Sequence, residues 1–481
     1  MKMLMNGCWT DSSDGKVQNV VNPATGAVID TVPCATREDV TKAIDIAAEA
    51  QKPWAAIPVR ERCKLLRKFA KNVVERRMEL GEILTKETGK PYIAESVWEF
   101  DSVAYVFEGA CEIAMHHYGK TLPIATEPGY DTDIQFTMNE PLGVIACIIP
   151  YNFPAALWSF KVAAALAAGN AVVIKAPSYD PLTVLTLTDM LVEAGIPGGL
   201  VNCLTGKGSL VGDWIVDDPR IASVNFTGSA ETGISIAKTA AKHLTGYQFE
   251  LGGNDPFIVC ADGDLELALK EAGDKARNAG QCCSAAKRFL IHNSLKETFC
   301  KRLVDEYLKP LVLGDPFDKK TTMGPVISEQ AAKKIISQID LTVQQGATVY
   351  YGGRRNGAFV EPTVLVDVTP DMDIMKNMEV FGPVWPVIGF DTVEEAIELA
   401  NMTDYGLSSG VFTRDMKTAA KFCRGIKAGY VTVNGSGGFR AAELPFGGGK
   451  KLTGNSRESL MTLMDEVTQK KSVILRYILE E

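Results

Sequence analysis

Two adjacent cysteines, Cys282 and Cys283, stand in the stretch NAGQCCSAAKR and are the first residues whose types suggest chemistry. Neighbouring Cα atoms lie ~3.8 Å apart, which is shorter than most disulfides allow, so we expect no bond between the two sulfurs. Buried cysteines usually pack as small hydrophobic side chains, which is one interpretation of this pair. The other is a reactive thiolate, which forms where neighbouring groups lower the pKa of a thiol.

A carboxylate upstream complements such a thiolate. Glu250 lies in the segment FELGGNDP, at the end of a predicted strand and just before a Gly-Gly turn. An isolated glutamate at such a place is usually solvated or caps a helix. A thioester formed on a cysteine must be released by water, and a carboxylate near the sulfur can activate that water. Glu250 therefore has a second interpretation, as the general base of cysteine-based acyl chemistry.

Polar residues and glycines follow four apolar segments that have the pattern of buried strands. They are Asn152, Lys175, Gly206, Gly208, Gly212, Thr227, Gly228 and Ser229. In open parallel sheets ligands bind beyond the carboxyl ends of the strands, and a helix N-terminus there can hold a phosphate. The glycine spacing GxGxxxG is also typical of a tight strand-to-helix turn and is not the GxGxxG fingerprint. The convergence of the four loops predicts a nucleotide site.

The elements that must position these residues alternate between strand and helix from Leu142 onward. This alternation predicts a parallel, doubly wound sheet, and a second αβ series begins near Phe257 and continues to about Val433. The preceding passage TLPIATEPGYDTDIQFTMNEP has the pattern of a hairpin leaving the main body. The end, TQKKSVILRYILEE, alternates like a terminal strand that pairs with another element or subunit.

Length and composition limit the class of protein. A chain of 481 residues predicts two or three domains, and a net charge of -9 without a long basic run excludes nucleic acid and anionic membranes as partners. The apolar region between Leu142 and Ile174 contains Pro150, Pro154 and Lys161, which argues against a membrane span. The start turns polar too soon for a signal peptide. Eleven scattered cysteines fit reduced cytoplasmic thiols, and without CxxC or HExxH we expect no metal.

The ordered set of motifs along the chain resembles the aldehyde dehydrogenase superfamily nearly from end to end. The motifs are NPATG, PLGVIACIIPYNFP, NAVVIKAP, NFTGS, FELGGNDP, NAGQCCSAAKR, GDP, MGP, EVFGPV and PFGGGK. The resemblance implies an α/β fold with a doubly wound parallel-sheet cofactor domain, a second α/β catalytic domain and a small β oligomerisation element. It places the NAD(P)-binding domain in 1–119 and 141–250, the catalytic domain in 251–450, and the oligomerisation segments in 120–140 and 460–481.

The resemblance also implies roles for individual residues. The family nucleophile is the second residue after the Gly-Gln pair, which is Cys283; Glu250 matches the general base, and Asn152 matches the side-chain donor of the oxyanion hole. The positions that match the cofactor site are Ile149, Pro150, Tyr151, Lys175, Ser178, Gly208, Phe226, Thr227, Gly228, Ser229, Leu251, Glu379 and Phe381. Because Glu250 is present, the resemblance favours the branch that releases a carboxylic acid over the CoA-acylating branch.

Three departures from the family pattern bear on specificity. Ser178 stands where NAD-using relatives commonly carry a glutamate, which favours NADP and leaves NAD open. The sequence around Arg440 resembles the branch that acts on lactaldehyde and glyceraldehyde. By that resemblance Arg440 faces an anionic or hydroxylated substrate; the alternative is that it is a surface residue. Cys282 stands where phosphate-binding members carry arginine, so a phosphorylated substrate is disfavoured. We expect Cys282 to line the substrate pocket as a small hydrophobic side chain. The loop KKLTGNSRES lacks two glycines of the family motif.

The sequence thus predicts oxidation of a small hydroxy- or otherwise polar aldehyde such as lactaldehyde by a cytoplasmic homodimer or homotetramer. Semialdehydes and aromatic aldehydes remain alternative substrates. A cofactor-free thiol esterase that uses Cys283, or an inactive binding protein with the same fold, remains an alternative function. The presence of Cys283, Glu250 and Asn152 together disfavours the inactive form.

Overall fold

The computed structural model describes residues 1–124, 127–439 and 443–479. Its strands are β1 (Met3–Met5), β2 (Cys8–Thr10), β3 (Val17–Val21), β4 (Val28–Pro33), β5 (Ile134–Pro141), β6 (Val144–Ile148), β7 (Ala171–Lys175), β8 (Val201–Leu204), β9 (Ile221–Thr227), β10 (Gly246–Glu250), β11 (Pro256–Val259), β12 (Arg288–His292), β13 (Thr348–Tyr351), β14 (Arg355–Asn356), β15 (Phe359–Val360), β16 (Thr363–Val366), β17 (Val384–Phe390), β18 (Ser408–Phe412), β19 (Tyr430–Val433) and β20 (Thr468–Leu475).

The helices between these strands follow in the same way. They are α1 (Arg37–Ala56), α2 (Val59–Thr88), α3 (Val97–His116), α4 (Pro154–Ala168), α5 (Pro181–Glu193), α6 (Gly208–Val216), α7 (Ala230–Ala240), α8 (Leu265–Gly273), α9 (Asn293–Arg302), α10 (Glu329–Gln344), α11 (Val393–Asn401), α12 (Met416–Gly425) and α13 (Leu460–Glu466). Short 3-10 or π turns occupy Tyr92–Ser96, Gly198–Leu200, Ala241–His243, Asp274–Gly280, Leu303–Leu308, Asp373–Met375 and Lys451–Thr453.

The first sheet has the strand order β10-β9-β6-β7-β8-β1-β2, and its strands from β10 to β8 are parallel. Strands β6 and β7 are almost continuously apolar because helices cover both faces of the sheet. Pro154 opens α4, and Gly169 ends it with φ 105°, a left-handed conformation that suits glycine. The antiparallel strands β1 and β2 extend the sheet at an edge that the sequence pattern did not predict.

The second sheet has the order β13-β16-β17-β12-β11-β18-β19 and is parallel except between β13 and β16. Its core contains Phe257, Phe289, Trp385 and Phe412, which are fully buried. The nucleophile stretch lies between β11 and β12, so it emerges at an edge of this sheet. The carboxyl end of β10, the last strand of the first sheet, precedes β11 by five residues, from Leu251 to Asp255.

A separate two-stranded ribbon pairs β5 with β20 in antiparallel register from Ile134 opposite Leu475 to Pro141 opposite Thr468. The expected hairpin is present only in part: Thr121 forms a single bridge with Phe136, while the whole of β5, Phe136 included, pairs with β20. The predicted terminal strand is therefore confirmed, and its partner is β5.

The predicted fold class is confirmed: two parallel-sheet α/β units and small antiparallel elements are present. The domain boundaries stay predictions. Among the described residues no helix is long and apolar enough to cross a membrane, and no group of three metal-ligating side chains is assembled.

Candidate active site

The stretch that leads into Cys282 and Cys283 is held in an unusual backbone conformation. Asn278 and Ala279 both have φ 49° and Gly280 has φ 74°, so three successive residues are left-handed before Gln281. Such a run is costly for residues with a Cβ and persists only where the surroundings enforce it. A Cβ on Gly280 would lie 2.3 Å from the carbonyl oxygen of Gly382, so only glycine fits there.

Asn278 ties this stretch to the loop after β6. Its side-chain amide donates to the carbonyl oxygen of Asn152 at 2.7 Å and to that of Gln281 at 3.1 Å. Its backbone N–H donates to Glu95 at 2.8 Å, and burial raises the pKa of Glu95 to about 7. Asn152 is buried, and among the described residues no hydrogen bond engages its side-chain amide. The backbone of Asn152 is thus tied through Asn278 to Gln281, the residue before Cys282.

The two thiols shift each other's pKa in opposite directions. The interaction between them is the largest cause that lowers the pKa of Cys282 to about 5 and raises that of Cys283, and the sulfur of Cys282 also lies 3.4 Å from the hydroxyl of Ser284. Negative charge in the pair is therefore favoured at Cys282, while Cys283 holds its proton more tightly.

Glu250 lies at the end of β10 with 2 % of its surface exposed. After the hydrogen bond from Cys282 and burial, the carboxylate of Glu250 is the next cause that raises the pKa of Cys283. The three predicted catalytic residues, Cys283, Glu250 and Asn152, therefore meet at one place from three separate loops. The altered loop KKLTGNSRES packs on the same strand, because Leu251 donates to Thr453 at 2.9 Å.

At the end of β7 three predicted cofactor residues lie together. The ammonium of Lys175 lies 3.2 Å from the hydroxyl of Ser178, and a Cβ on Gly208 would lie 3.8 Å from that hydroxyl. Burial lowers the pKa of Lys175 to about 8. Its donors go to the carbonyl oxygen of Ala176 and to Ser178, which are neutral groups, so this buried cation suits an anionic or hydroxylated ligand.

A second group of predicted cofactor residues faces helix α10. The rings of Tyr151 and Phe381 meet edge to face at 6.2 Å, and Tyr151 meets Tyr179 in the same way. A groove of about 660 Å³ runs between these tyrosines and α10, where Lys333 and Lys334 lie. Glu379 accepts the backbone N–H of Gly253 at 3.3 Å. The volume of this groove lies in the range of roughly 300–1,000 Å³ that small-molecule and cofactor sites occupy.

The remaining predicted cofactor residues surround the start of α7. Ser229 caps this helix by accepting the N–H of Thr232, while Gly228 would place a Cβ 2.4 Å from the ring of Phe226. Thr227 instead accepts a hydrogen bond from buried Lys161. The other predicted cofactor residues are Ile149, Pro150 and Leu251, which are apolar residues next to these loops. The backbone N–H of Ile149 donates to the carbonyl oxygen of Lys175.

A cavity of about 340 Å³ lies beside Cys282. Its wall includes Cys282, Trp98, Phe153, Glu271, Asp274 and Arg277. The guanidinium of Arg277 lies 5.6 Å from the ring centre of Trp98. The second predicted substrate residue, Arg440, lies outside the described residues.

Sequence reasoning missed several residues of this site. Asn278, Tyr179 and Lys287 all contact predicted residues, and Lys287 makes an ion pair with Glu379 at 3.3 Å. Asn278 and Gly280 carried a signal, since Asn and Gly tolerate left-handed backbone. Lys287 carried none, because a lysine before an apolar strand is normally solvent-exposed.

Comparisons with known proteins agree with this geometry. The aldehyde dehydrogenase family matches residues 9–473. Retinaldehyde dehydrogenase 3 of Mus musculus is 37% identical over 99% of this chain and 93% of its own, and 3-sulfolactaldehyde dehydrogenase of Priestia aryabhattai is 35% identical over 98% and 97%.

Solved structures extend the likeness to three dimensions. An NADP-dependent enzyme of Escherichia coli superimposes with a TM-score of 0.95 at 33% identity, covering 98% of both chains. A betaine aldehyde dehydrogenase of Staphylococcus aureus in complex with NAD+ superimposes with a TM-score of 0.94 at 36% identity, covering 99% of this chain and 94% of its own. From its motifs, its two sheets and these relatives, the chain belongs to the aldehyde dehydrogenase family and is an NAD(P)-dependent oxidoreductase.

Proposed function

We propose that the enzyme oxidises a small hydroxy- or otherwise polar aldehyde, such as lactaldehyde, to the carboxylic acid. The observation that carries this proposal is the cavity beside Cys282, whose wall combines aromatic rings with charged Glu271, Asp274 and Arg277. Charged side chains there keep water unless a substrate offers polar groups in its place, so a wholly apolar aldehyde gains little by entering.

In the first step Cys283, after loss of its proton, attacks the aldehyde carbon through its sulfur, and negative charge develops on the substrate oxygen. The side-chain amide of Asn152 donates a hydrogen bond to that oxygen, a contribution of about 3 kcal/mol where one such donor has been removed from other enzymes. Bound NAD(P)+ supplies the acceptor for the hydride that leaves the same carbon. A thioester on Cys283 results.

In the second step Glu250 takes a proton from water, and the resulting hydroxide attacks the thioester carbonyl. Glu250 is buried and lies within electrostatic reach of Cys283, which suits a base that acts on a water between them. The carbon–sulfur bond breaks, the carboxylic acid leaves and the thiolate is regenerated.

NADP+ is the proposed cofactor, with NAD+ as the alternative. Lys175 and Ser178 support NADP+, because an ammonium and a hydroxyl 3.2 Å apart can both contact a 2′-phosphate. Lys175, Ser178 and Gly208 would hold the adenosine end. Tyr151, Glu379 and Phe381 would hold the nicotinamide end.

The function is tested by removing each thiol in turn. Cys283→Ala should abolish aldehyde oxidation, whereas Cys282→Ala should retain most of it while shifting the aldehyde KM. Aldehyde-dependent reduction of NAD+ and NADP+ is the measurement. Loss of activity in Cys282→Ala but not in Cys283→Ala would show that Cys282, and not Cys283, is the nucleophile. Ester hydrolysis without any reduction of cofactor would favour the thiol esterase instead.

A second substrate class, the carboxylated semialdehydes, is favoured by Arg277. Its guanidinium lies at the cavity wall over Trp98 and can pair with a substrate carboxylate. A panel of lactaldehyde, glyceraldehyde, succinate semialdehyde and benzaldehyde, each with both cofactors, separates the classes by kcat/KM. If succinate semialdehyde is the substrate, Arg277→Gln should lower the kcat/KM for it and leave the kcat/KM for lactaldehyde unchanged.

We also propose a cytoplasmic homodimer or homotetramer. The ribbon of β5 and β20 supports assembly, because Met138, Ile474 and Leu475 are exposed on it. Two-stranded ribbons are marginal alone and gain stability when a partner covers them. Sedimentation of the enzyme tests this assembly.

A further inference from the structure

Lys287 lies four residues after Cys283 and immediately before β12, yet its side chain is only 1 % exposed. Its ammonium donates to the carbonyl oxygen of Cys283 at 2.5 Å and to that of Ala285 at 3.3 Å. Its backbone N–H donates to the carbonyl oxygen of Asp255 at 2.9 Å. The residue thus closes the turn that carries the two thiols and anchors that turn to the end of the Gly-Gly loop.

The same ammonium reaches toward the proposed cofactor site. It lies 3.3 Å from a carboxylate oxygen of Glu379 and 5.9 Å from the ring centre of Phe381. Glu379 is held from the other side by the N–H of Gly253. One buried cation therefore joins the backbone of the proposed nucleophile to a residue proposed to bind the nicotinamide ribose.

Lys287 is charged in this position. Burial opposes the charge, but Glu379, Asp255 and the two thiols outweigh burial, so the pKa of Lys287 is raised. Lys275, the other buried lysine of this region, donates to the carbonyl oxygen of Ala286, and burial followed by repulsion from Lys287 lowers its pKa to about 7.

The charged groups around the thiols act in opposite directions. Lys287 favours the thiolate at both sulfurs, while Glu250 opposes it at Cys283. Removal of the ammonium would leave Cys283 with the opposing carboxylate of Glu250, and would leave Glu379 and Asp255 without the cation that they face.

We propose that Lys287 is a positioning residue that fixes the turn of Cys283 and the carboxylate of Glu379 relative to each other and favours the thiolate by its charge. This inference rests on the proposed function for the identity of the nucleophile and of the cofactor residue. It adds a cation that the family motifs do not assign.

The test measures the thiol directly and does not depend on the substrate. In a Cys282→Ala background, the rate of alkylation of Cys283 by iodoacetamide is followed against pH by peptide mass spectrometry. Lys287→Met should raise the midpoint of this profile by ~1 pH unit, the lower end of the shift that a nearby opposite charge produces. Lys287→Arg keeps the charge, so its midpoint should stay close to the value of the enzyme with Lys287.

A second measurement addresses the contact with Glu379. In the enzyme with both cysteines, Lys287→Met should raise the KM for the preferred cofactor about tenfold and raise the aldehyde KM less, since the lost contact lies on the cofactor side. If Lys287→Met does not fold, as judged by circular dichroism, Lys287→Gln carries the test with the same expected directions.

A folded variant with an unchanged alkylation profile and an unchanged cofactor KM would overturn the inference. Failure of the proposed function is a different outcome: it leaves the alkylation profile dependent on Lys287 while Cys283→Ala still oxidises aldehydes.

Discussion

Replacing Ser178 by glutamate changes the charge next to Lys175 and tests how the enzyme selects its cofactor. The hydroxyl of Ser178 lies 3.2 Å from the ammonium of Lys175, and Ser178 lines a cavity of about 720 Å³, so a longer carboxylate side chain has room there. There it would pair with Lys175 and face any 2′-phosphate. A ribose with two free hydroxyls would instead gain an acceptor.

The size of the effect follows from Coulomb's law. Two unit charges ~5 Å apart at an effective dielectric constant of ~20 repel by about 3 kcal/mol. Ser178 is half-buried, so salt and water screen part of this repulsion, and we expect about 1.5 to 3 kcal/mol against NADP+. The ratio of kcat/KM for NADP+ to that for NAD+ should therefore fall ~10- to 100-fold.

The assay compares both cofactors at saturating aldehyde, at low and at high ionic strength. Ser178→Gln is the matched control, because it has the size of glutamate without its charge and should change the ratio several-fold less. If both variants lowered the ratio equally, steric crowding would be the cause. If neither changed it, Ser178 would not face the 2′ position and the argument for NADP+ would fail.

Three further predictions concern the same site. Because burial lowers the pKa of Lys175 to about 8, its ammonium is lost as pH rises through that value, so the KM for NADP+ should increase above pH ~8 while the KM for NAD+ changes little; a flat NADP+ profile would contradict this. Glu250→Gln should keep the first burst of reduced cofactor and slow steady-state turnover by ~10²-fold or more, as rapid-quench kinetics would reveal; equal loss of the burst would remove Glu250 from deacylation. Gly280→Ala should destabilise the protein in urea by about 2 kcal/mol or more, since its Cβ would meet the carbonyl oxygen of Gly382 at 2.3 Å, whereas Gly26→Ala, at φ 73° in open space, should cost only about 1 kcal/mol. Equal losses in the two glycine variants would show that the close approach to Gly382 is relieved.

The parallel sheets were predictable because their signals are local. β6 and β7 are short apolar runs followed by helices, and such runs form parallel strands when both faces are covered. Because ligands bind beyond the carboxyl ends of parallel strands, the positions of Asn152 and Lys175 just after β6 and at the end of β7 predicted them as site residues without any distance information. The edge strands β1 and β2 were missed because three-residue strands carry almost no periodicity.

The doubled cysteine marks where sequence reasoning ended. The motif distinguishes Cys283 from Cys282 by register alone, but the interaction that lowers the pKa of Cys282 and raises that of Cys283 is a property of the folded loop. Asn278 illustrates the same limit: its tolerance of left-handed backbone is written in its residue type, and its contact with Asn152 is not.

The sequence by itself determined the family, the order of the strands along the chain and the residues whose chemistry is required, because short motifs and periodicity depend on near neighbours. Only the tertiary structure decided that Lys287 is buried against Glu379 and that Arg277 lies over Trp98 at the cavity. Charge interactions fall with distance and strengthen with burial, and both quantities are set by packing between segments far apart in the chain.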